Sequence, residues 1–186
     1  MLILQLLVFA IPVSFAAIVH MIAVKINVLP FLKIPLDFGK SWNGKRIFGD
    51  HKTIRGVIIM VIFSIVGSML LKYLVNNSEQ FKSLNILYFD QFSVWFYGVL
   101  FGLGYTLSEL PNSFYKRRAN IEEGKRGNLI NILVDQFDSP FGCLIFLAPF
   151  SNMSWTFFGV GAFFYLFLHM FFNFVLFLLR LRNNPL

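Results

Sequence analysis

The chain has 186 residues, of which 57% are hydrophobic and 13% are charged, and its formal net charge is +7. Because an average soluble domain carries about 25% charged residues, the composition excludes a disordered chain and indicates one polytopic membrane domain over residues 1–186. The single cysteine, Cys143, excludes an internal disulfide framework and any metal site built from several cysteines.

Apolar runs along the sequence predict an all-α integral membrane fold with about five spanning helices, because a helix needs about 20 mostly apolar residues to cross a bilayer. The predicted spans are 2–24, 56–74, a shorter run at 92–107, a fourth from about 129 to 150 that contains polar residues, and 155–179. A cleaved signal peptide is disfavoured at the first run, since no basic residue precedes it and its apolar stretch is too long.

Basic residues are concentrated in three segments of the chain, namely 25–55, 108–140 and the C-terminal tail. These segments contain Lys25, Lys33, Lys40, Lys45, Arg46, Lys52, Arg55, Lys116, Arg117, Arg118, Lys125, Arg126, Arg180 and Arg182, which are fourteen of the 16 lysines and arginines. Five spans place the three segments on one side, and the positive-inside rule makes that side cytoplasmic. The sequence therefore predicts a multi-pass protein of the cell membrane, with its N-terminus outside and its C-terminus inside.

The cytoplasmic segment 25–55 is rich in glycine, and a lysine or arginine lies close to each glycine. Glycine permits positive φ, successive backbone amides in such turns bind anions, and Lys and Arg neutralise phosphate. This composition predicts a loop that binds a polyphosphate, although a loop that touches anionic lipid headgroups has a similar composition. Asp37 and Asp50 favour the polyphosphate, because a topology signal does not need carboxylates whereas a metal–phosphate site does.

Two carboxylates in the segment 108–140 are candidates for a metal site. Asp135 and Asp138 are three residues apart, so they share one helical face, and they directly precede an apolar run. Ionisable residues at a membrane boundary are costly, and a divalent cation such as Mg²⁺ or Ca²⁺ would relieve their repulsion. The alternative is that Asp138 caps a helix that begins near Pro140.

Together the two segments resemble the CDP-archaeol synthase family of small integral-membrane CTP transferases. The matching residues are Pro35-Leu-Asp37-Phe-Gly39-Lys40, Lys45-Arg46-Ile-Phe-Gly49-Asp50-His-Lys52-Thr53-Ile-Arg55-Gly56, Ser113-Phe-Tyr-Lys116-Arg117-Arg118 and Asp135-Gln136-Phe-Asp138. The second segment is also similar to the broader phosphatidate cytidylyltransferases, which carry a Ser-x-x-Lys-Arg element and a downstream aspartate pair. With the five-span pattern, the resemblance covers most of the chain.

The resemblance implies that CTP and a lipid phosphate react to give a CDP-lipid and pyrophosphate, with Mg²⁺ as cofactor and without a nucleic-acid partner. The implied nucleotide- and phosphate-binding residues are Asp37, Gly39, Lys40, Arg46, Gly49, Asp50, Lys52, Thr53 and Arg55. The implied catalytic residues are Lys116, Arg117 and Ser113, and the implied metal ligands are Asp135 and Asp138, with Glu109 as an auxiliary ligand.

The sequence departs from the family pattern at two points. Ser108-Glu109 stands where the family has Gly-Asp, so that Glu109 would reach an ion with a longer side chain. Asn112 stands where the family has a lysine, which removes one cation that could bind phosphate.

The alternative function is a non-catalytic membrane protein whose basic loops bind anionic lipids. A transporter subunit should carry ionisable groups near mid-bilayer. It is disfavoured, because nearly all ionisable groups of this chain lie in the predicted cytoplasmic segments.

Overall fold

The computed structural model describes residues 1–125 and 127–181, and within these residues the architecture is helical apart from one small hairpin. The helices are α1 (Leu2–Lys25), α2 (Ile54–Asn77), α3 (Glu79–Leu84), α4 (Val94–Arg118), α5 (Leu129–Leu147) and α6 (Trp155–Leu178). The strands β1 (Ser41–Trp42) and β2 (Lys45–Arg46) pair in antiparallel register. Short 3-10 turns cover Pro30–Leu32 and Ala148–Phe150. The predicted all-α fold is confirmed, whereas Arg126 and Arg182 of the charge pattern lie outside the described residues.

Five of the helices begin at a residue whose side chain accepts a hydrogen bond from the backbone N–H three residues later. These capping residues are Thr53, Ser78, Ser93, Asn128 and Ser154. Such caps satisfy amides that have no partner within the helix. The sequence therefore sets the start of each of these helices locally, at a polar residue that precedes an apolar run.

Within the described residues, four helical segments are long and apolar enough to cross a membrane, namely Leu2–Lys25, Ile54–Asn77, Leu129–Phe150 and Trp155–Leu178. The chain is therefore a multi-pass membrane protein. The fifth long helix, α4, has 25 residues and a length of about 37 Å, but its C-terminal half carries Glu109 and three consecutive basic residues. It packs between α2 and α5. A fifth span at α4 stays a prediction.

The connections gather at two opposite ends of the helix bundle. At one end, the loops 26–53 and 119–128 meet, since the Asp50 amide donates to Glu123 Oε2 at 2.7 Å. At the other end, the segments 85–93 and 148–154 meet, where the Asn152 amide donates to the Ile86 carbonyl at 2.8 Å. Helix α4 runs from one end to the other. Both basic loops therefore lie at the same end of the bundle, as the charge pattern predicts.

The segment predicted as a cytoplasmic stretch over 108–140 is largely helical. Helix α4 continues through Pro111 to Arg118 instead of ending near residue 107, and only 119–128 connects it to α5. Helix α5 begins after its cap at Asn128 and also continues through Pro140. The capping alternative for Asp138 is therefore wrong, because this residue lies inside α5.

Helix α4 approaches α2 so closely that glycine is required where they touch. A Cβ atom at Gly98 would lie 2.4 Å from Ile65 Cα, and one at Gly102 would lie 2.5 Å from Val61 Cα. Small residues of this kind permit backbone contact between helices inside membranes. The close approach fixes α4, and with it the polar residues of its C-terminal half, against the first turns of α2.

The two ends of the bundle give a test of membrane topology. We expect a reporter fused after Leu186 to read as cytoplasmic and a reporter inserted at Asp90, in the loop at the opposite end, to read as extracytoplasmic. The measurement is paired reporter activity in cells. If both reporters were on the same side, α4 would not span the membrane. If the two readings were exchanged, the predicted orientation would be wrong.

Candidate active site

A cavity of about 520 Å³ lies between the long helices and opens beneath the two basic loops. Its wall receives side chains from α1, α2, α4, α5 and α6. Among the residues predicted for the site, it contains Lys52, Thr53, Glu109, Ser113, Lys116, Arg117, Asp135 and Asp138. The structure places the other predicted residues in the loop 26–53 and the first turn of α2, where their side chains do not line the cavity. They are Asp37, Gly39, Lys40, Arg46, Gly49, Asp50 and Arg55.

Asp37 holds the glycine-rich loop together from inside. Its buried carboxylate accepts hydrogen bonds from the backbone amides of Gly39 at 3.0 Å and of Phe48 and Gly49 at 2.9 Å. It also forms a 2.6 Å ion pair with Arg46. Burial alone would raise the pKa of the Asp37 carboxyl, but these hydrogen bonds outweigh burial and hold the pKa well below its usual range. The predicted anion-binding amides thus have an internal anion as their partner.

Arg46 and the hairpin that carries it are tied to the end of α4. Besides Asp37, Arg46 contacts Asp50 at 2.7 Å. Arg118 donates to the carbonyl oxygens of Trp42 at 2.7 Å, Lys45 at 2.8 Å and Arg46 at 2.6 Å. Arg118 therefore docks the loop on α4, whereas the Arg46 side chain stabilises the loop internally through Asp37 and Asp50.

Arg55 is also engaged away from the cavity. Its buried guanidinium donates to Asn27 Oδ1 at 2.8 Å and to the Val28 carbonyl at 3.1 Å. Both partners lie directly after α1, so Arg55 joins the end of α1 to the start of α2. Lys40, in contrast, is exposed at the protein surface. The hydrogen bonds of Arg55 are those of a residue that supports the fold.

A cluster of acidic and amide side chains forms the wall between α4 and α5. The Asn112 amide donates to Asp135 Oδ1 at 2.7 Å and to Asp138 Oδ2 at 2.9 Å, so it bridges the two aspartates. Lys116 donates to both oxygens of Asp135, at 2.7 and 2.5 Å. One turn of α4 presents Asn112 and Lys116 to one turn of α5, which explains how the two segments meet.

Glu109 continues this cluster toward the glycine-rich loop. It forms an ion pair with Lys52 and accepts a 2.6 Å hydrogen bond from the hydroxyl of the buried Ser139. Burial by itself lowers the pKa of the Lys52 ammonium, but the charge and hydrogen bond of Glu109 outweigh burial and raise the pKa above its ordinary value. Lys52 therefore remains a cation on the cavity wall.

The assignment of Asp135 and Asp138 as metal ligands, with Glu109 as an auxiliary ligand, stays a prediction. Among the described residues, no three His, Cys, Asp or Glu side chains come together in an arrangement that could hold a metal ion. The carboxylate oxygens of Glu109 contact Lys52 and the Ser139 hydroxyl in this structure. Asp135 and Asp138 still fit Mg²⁺, which binds through one or two carboxylates and completes its octahedron with waters and substrate phosphates.

The loop 119–128 contributes residues that the sequence did not single out. Glu123 accepts the Asp50 amide and lies 3.9 Å from Arg117. A Cβ atom at Gly49 would lie 2.4 Å from Glu123, and the φ of Gly49 is +95°. Gly49 is therefore needed so that Glu123 can join the two loops above the cavity.

Sequence reasoning also missed the positioning residues Asn112 and Ser139. The sequence places Asn112 on one helical face with Ser113 and Lys116 and marks it as a departure from the family pattern, but it does not indicate that Asn112 bridges two aspartates, and Ser139 belongs to no motif. A helical projection of 108–118 and 129–140 would have found both, because each lies on the same face as a predicted acidic residue.

Comparison with known proteins gives consistent matches along the whole chain. A family model described as "CarS-like: CDP-archaeol synthase" matches residues 1–186. The chain is 30% identical over 161 residues to the CDP-archaeol synthase of Saccharolobus islandicus (strain L.S.2.15), which covers 84% of this chain and 85% of the relative. It is 28% identical over 163 residues to the CDP-archaeol synthase of Sulfolobus acidocaldarius, with 84% and 86% coverage.

A solved structure has the same fold. It is described as "Structural insight into an intramembrane enzyme for archaeal membrane lipids biosynthesis" and superposes with a TM-score of 0.60 at 22% sequence identity. The match covers 89% of this chain and 90% of that chain. The helical bundle is thus similar to that of an intramembrane enzyme over nearly its full length.

The internal hydrogen bonds of the glycine-rich loop predict effects on stability. We expect Asp37→Ala and Arg55→Ala each to lower the free energy of unfolding by about 1–3 kcal/mol, because buried hydrogen-bonding groups lose a charged partner. The measurement is the thermal unfolding midpoint in detergent. Lys40→Ala is the matched control, since this exposed side chain should leave the midpoint unchanged. Midpoints equal to that of the unsubstituted protein for Asp37→Ala and Arg55→Ala would contradict the structural role.

Proposed function

Since the chain belongs to the CDP-archaeol synthase family, we propose that the cavity beneath its two basic loops is the active site of this CTP-dependent cytidylyltransferase. The chain acts on a lipid phosphate in membrane lipid biosynthesis. The names of its relatives favour an archaeol-type phosphate as the lipid substrate. The observation that carries the proposal is the pair Asp135 and Asp138, bridged by Asn112 on the wall that also presents Lys52 and Lys116.

The reaction joins two phosphate groups. An oxygen of the lipid phosphate attacks the α-phosphorus of CTP and forms a new phosphorus–oxygen bond. The bond from the α-phosphorus to the bridging oxygen of the β-phosphate breaks, and that electron pair leaves with pyrophosphate. The attacking oxygen is already anionic, so no general base is required. The task of the protein is to position two polyanions and to offset their charge.

The side chains of the cavity do not offset that charge by themselves. Among the described residues of the wall, the acidic side chains are Glu109, Glu123, Asp135 and Asp138, and the lysines and arginines are Lys52, Lys116, Arg117 and Lys125. Their formal charges cancel. A triphosphate therefore enters a site whose described wall has no net positive charge. The cations Arg46 and Arg55 do not add to it, because they bind Asp37 and Asn27. This balance supports the involvement of a divalent cation.

We assign Asp135 and Asp138 as the protein ligands of Mg²⁺. The ion would supply positive charge to the triphosphate and to the leaving pyrophosphate. Asn112 orients both carboxylates without adding charge, because an amide donates hydrogen bonds but remains neutral. Lys116 compensates Asp135 in this structure, and it is free to contact phosphate once another cation neutralises the carboxylate.

Lys52, Arg117 and Ser113 complete the set of residues that we propose for binding phosphate. Lys52 lies on the wall formed with Glu109, and Arg117 lies beneath the loop 119–128 with a mostly buried side chain. Ser113 is buried on the same wall. Thr53 lines the cavity as well, but its hydroxyl oxygen accepts the Gly56 amide and caps α2. We propose that the cavity faces the cytoplasm, where CTP is available.

A non-catalytic protein that binds anionic lipids is the competing function. Such a protein needs exposed basic residues and has no use for carboxylates bridged by an amide in a cavity. The acidic cluster between α4 and α5 therefore supports catalysis. The deciding assay incubates the purified protein with labelled CTP, Mg²⁺ and a panel of lipid phosphates, and it measures the CDP-lipid and pyrophosphate that form.

A lysine on the cavity wall should contribute to CTP affinity. We expect Lys52→Gln to raise the KM for CTP roughly 5–150-fold, the equivalent of about 1–3 kcal/mol for a charge-assisted hydrogen bond. Lys40→Gln is the control, because Lys40 is exposed and lies outside the cavity. The unfolding midpoint of each variant separates weaker binding from weaker folding. A folded Lys52→Gln protein with an unchanged KM for CTP would place the triphosphate elsewhere.

The aspartate pair should behave as one unit. Asp135→Asn and Asp138→Asn keep the shape and remove the charge, so each is expected to lose most activity and to require more Mg²⁺ for half-maximal rate. The double variant should be little worse than either single variant, because residues that serve one ion act together. Asp90→Asn, at the opposite end of the bundle, is the control.

The outcomes for the aspartate pair are distinct. If the losses of the two single variants multiplied in the double variant, the two residues would act independently and a shared ion would be the wrong explanation. If the Mg²⁺ dependence stayed unchanged in both single variants, the ligand assignment would be wrong even with reduced activity.

A further inference from the structure

The nine residues after α1 lie at the point where this helix reaches the edge of the bilayer. Helix α1 has 24 residues and a length of about 36 Å, whereas the hydrocarbon layer of a bilayer is about 30 Å thick. Lys25, in the last turn, is the first charged side chain of the sequence. The hydrocarbon layer therefore ends near Lys25. We refer to residues 26–34, which follow it, as the boundary segment.

Hydrogen bonds hold both ends of the boundary segment at the level of two helices that are long and apolar enough to cross a membrane. At its start, the Val28 amide donates to the Ala23 carbonyl at 2.9 Å, so the chain folds back on the last turn of α1. At its end, the Ile34 carbonyl accepts the amide of Ile54, the first residue of α2, at 2.9 Å. Arg55 in the same turn of α2 donates to the Val28 carbonyl. The boundary segment therefore runs along the edge of the hydrocarbon layer.

The surface of the boundary segment is largely apolar. Phe31 is 70% exposed and Ile26 is 66% exposed. Val28, Leu29 and Ile34 are exposed as well. An exposed apolar surface of this kind marks an interaction site, and at this depth it fits the layer in which lipid headgroups meet acyl chains.

The charges of the boundary segment and its surroundings are positive. Lys25 and Lys33 are exposed, and the sequence from Lys25 to Leu36 contains no aspartate or glutamate. Lys25 also donates to the carbonyl of Arg180, which brings the end of α6 and its exposed arginine to the same place. Such a surface complements anionic headgroups, because its cations meet phosphate while its apolar side chains reach the acyl chains. A second copy of the chain would present like charges to it.

The boundary segment is joined to the main cavity through Lys52. The Leu36 amide donates to the Lys52 carbonyl at 2.8 Å, and the hydrogen bond between Ile34 and Ile54 lies on the other side of this lysine. Leu36 and Lys52 both line the cavity. The position of the boundary segment therefore sets the position of the Lys52 backbone.

From these observations we infer that the boundary segment binds the anionic headgroup layer of the membrane through Lys25, Lys33 and the apolar side chains between them, and that this contact holds Lys52 in its place on the cavity wall. The partner is the lipid surface and not a molecule of substrate. The membrane contact is independent of catalysis, whereas its effect on CTP affinity through Lys52 rests on the proposed function.

A nitroxide probe measures the depth of the boundary segment. It is attached to Phe31→Cys in a Cys143→Ala background, and the full chain is reconstituted in vesicles of phosphatidylcholine and phosphatidylglycerol. Oxygen concentrates in the bilayer and a nickel chelate stays in water, so the ratio of their collision rates with the probe reports depth. We expect a high oxygen-to-nickel ratio at Phe31→Cys. A probe at Glu122→Cys, an exposed residue of the loop 119–128, is the control and should give a low ratio.

Each result of the depth measurement has a distinct meaning. If the ratio at Phe31→Cys were as low as that at Glu122→Cys, the boundary segment would lie in water and the inference would be overturned. Spin–spin broadening that disappeared on dilution with unlabelled protein would identify a second copy of the chain as the partner and would also overturn it. A high ratio in a protein that makes no CDP-lipid would support the membrane contact and refute the proposed function instead.

Lys33→Glu tests the link to Lys52, because it reverses a charge on the boundary segment and leaves every proposed ligand unchanged. On vesicles with phosphatidylglycerol, we expect a KM for CTP roughly two- to fivefold above that of the unsubstituted protein, since one lysine beside an anionic leaflet contributes about this factor. On vesicles of phosphatidylcholine, with the same low fraction of substrate, the two KM values should agree. Lys82→Glu, at an exposed site at the opposite end of the bundle, is the matched control.

The comparison is made between proteins on the same vesicles, so that the repulsion of CTP by an anionic surface cancels. If Lys33→Glu left the KM for CTP unchanged on both kinds of vesicle, the link between membrane contact and Lys52 would be wrong. A rise of equal size on both kinds would place the effect of Lys33 inside the protein and would overturn the link as well.

Discussion

Carboxylates inside a helical bundle must have partners, and this requirement organises the active site. Glu109, Asp135 and Asp138 lie on the facing walls of α4 and α5, where an unpaired charge would cost several kcal/mol. Lys52, Lys116 and Asn112 compensate them through direct hydrogen bonds. Because Lys52 comes from the glycine-rich loop and Lys116 from α4, the same interactions that satisfy the carboxylates also hold the loop over the cavity.

The glycine-rich loop shows how a loop that resembles an anion-binding site can carry its own anion. Its amides point inward, as the glycines predict, but the carboxylate of Asp37 fills the position of the anion. The loop thereby becomes a rigid support that presents Lys52 and Thr53 to the cavity. A flexible loop would lose entropy on binding a nucleotide, whereas a preformed loop has already lost it during folding.

The fold could be predicted from the sequence better than the site. The positions of α1, α2, α5 and α6 can be predicted from apolar runs, because each run is long enough to cross the hydrocarbon layer of a bilayer. The end of α4 could not be placed in this way, since its last turns at Lys116 are polar and Pro111 does not break it. The wall residues Lys52, Asp135 and Asp138 follow from motif and spacing. The separate tasks of Asp37 and Arg55 depend on interactions between distant parts of the chain, which local sequence does not encode.

Asn112 stands where the family resemblance leads one to expect a lysine, and this difference has a consequence for the charge of the site. A lysine at this position would neutralise one carboxylate permanently, and it would compete with a metal ion for the same oxygens. The amide of Asn112 fixes the orientation of Asp135 and Asp138 through two hydrogen bonds and adds no charge of its own. An aspartate pair that is oriented but only partly neutralised attracts a divalent cation more strongly than a fully compensated pair. Under the proposed function, the positive charge of the ion that accompanies the triphosphate takes the place of a lysine ammonium that would itself bind phosphate.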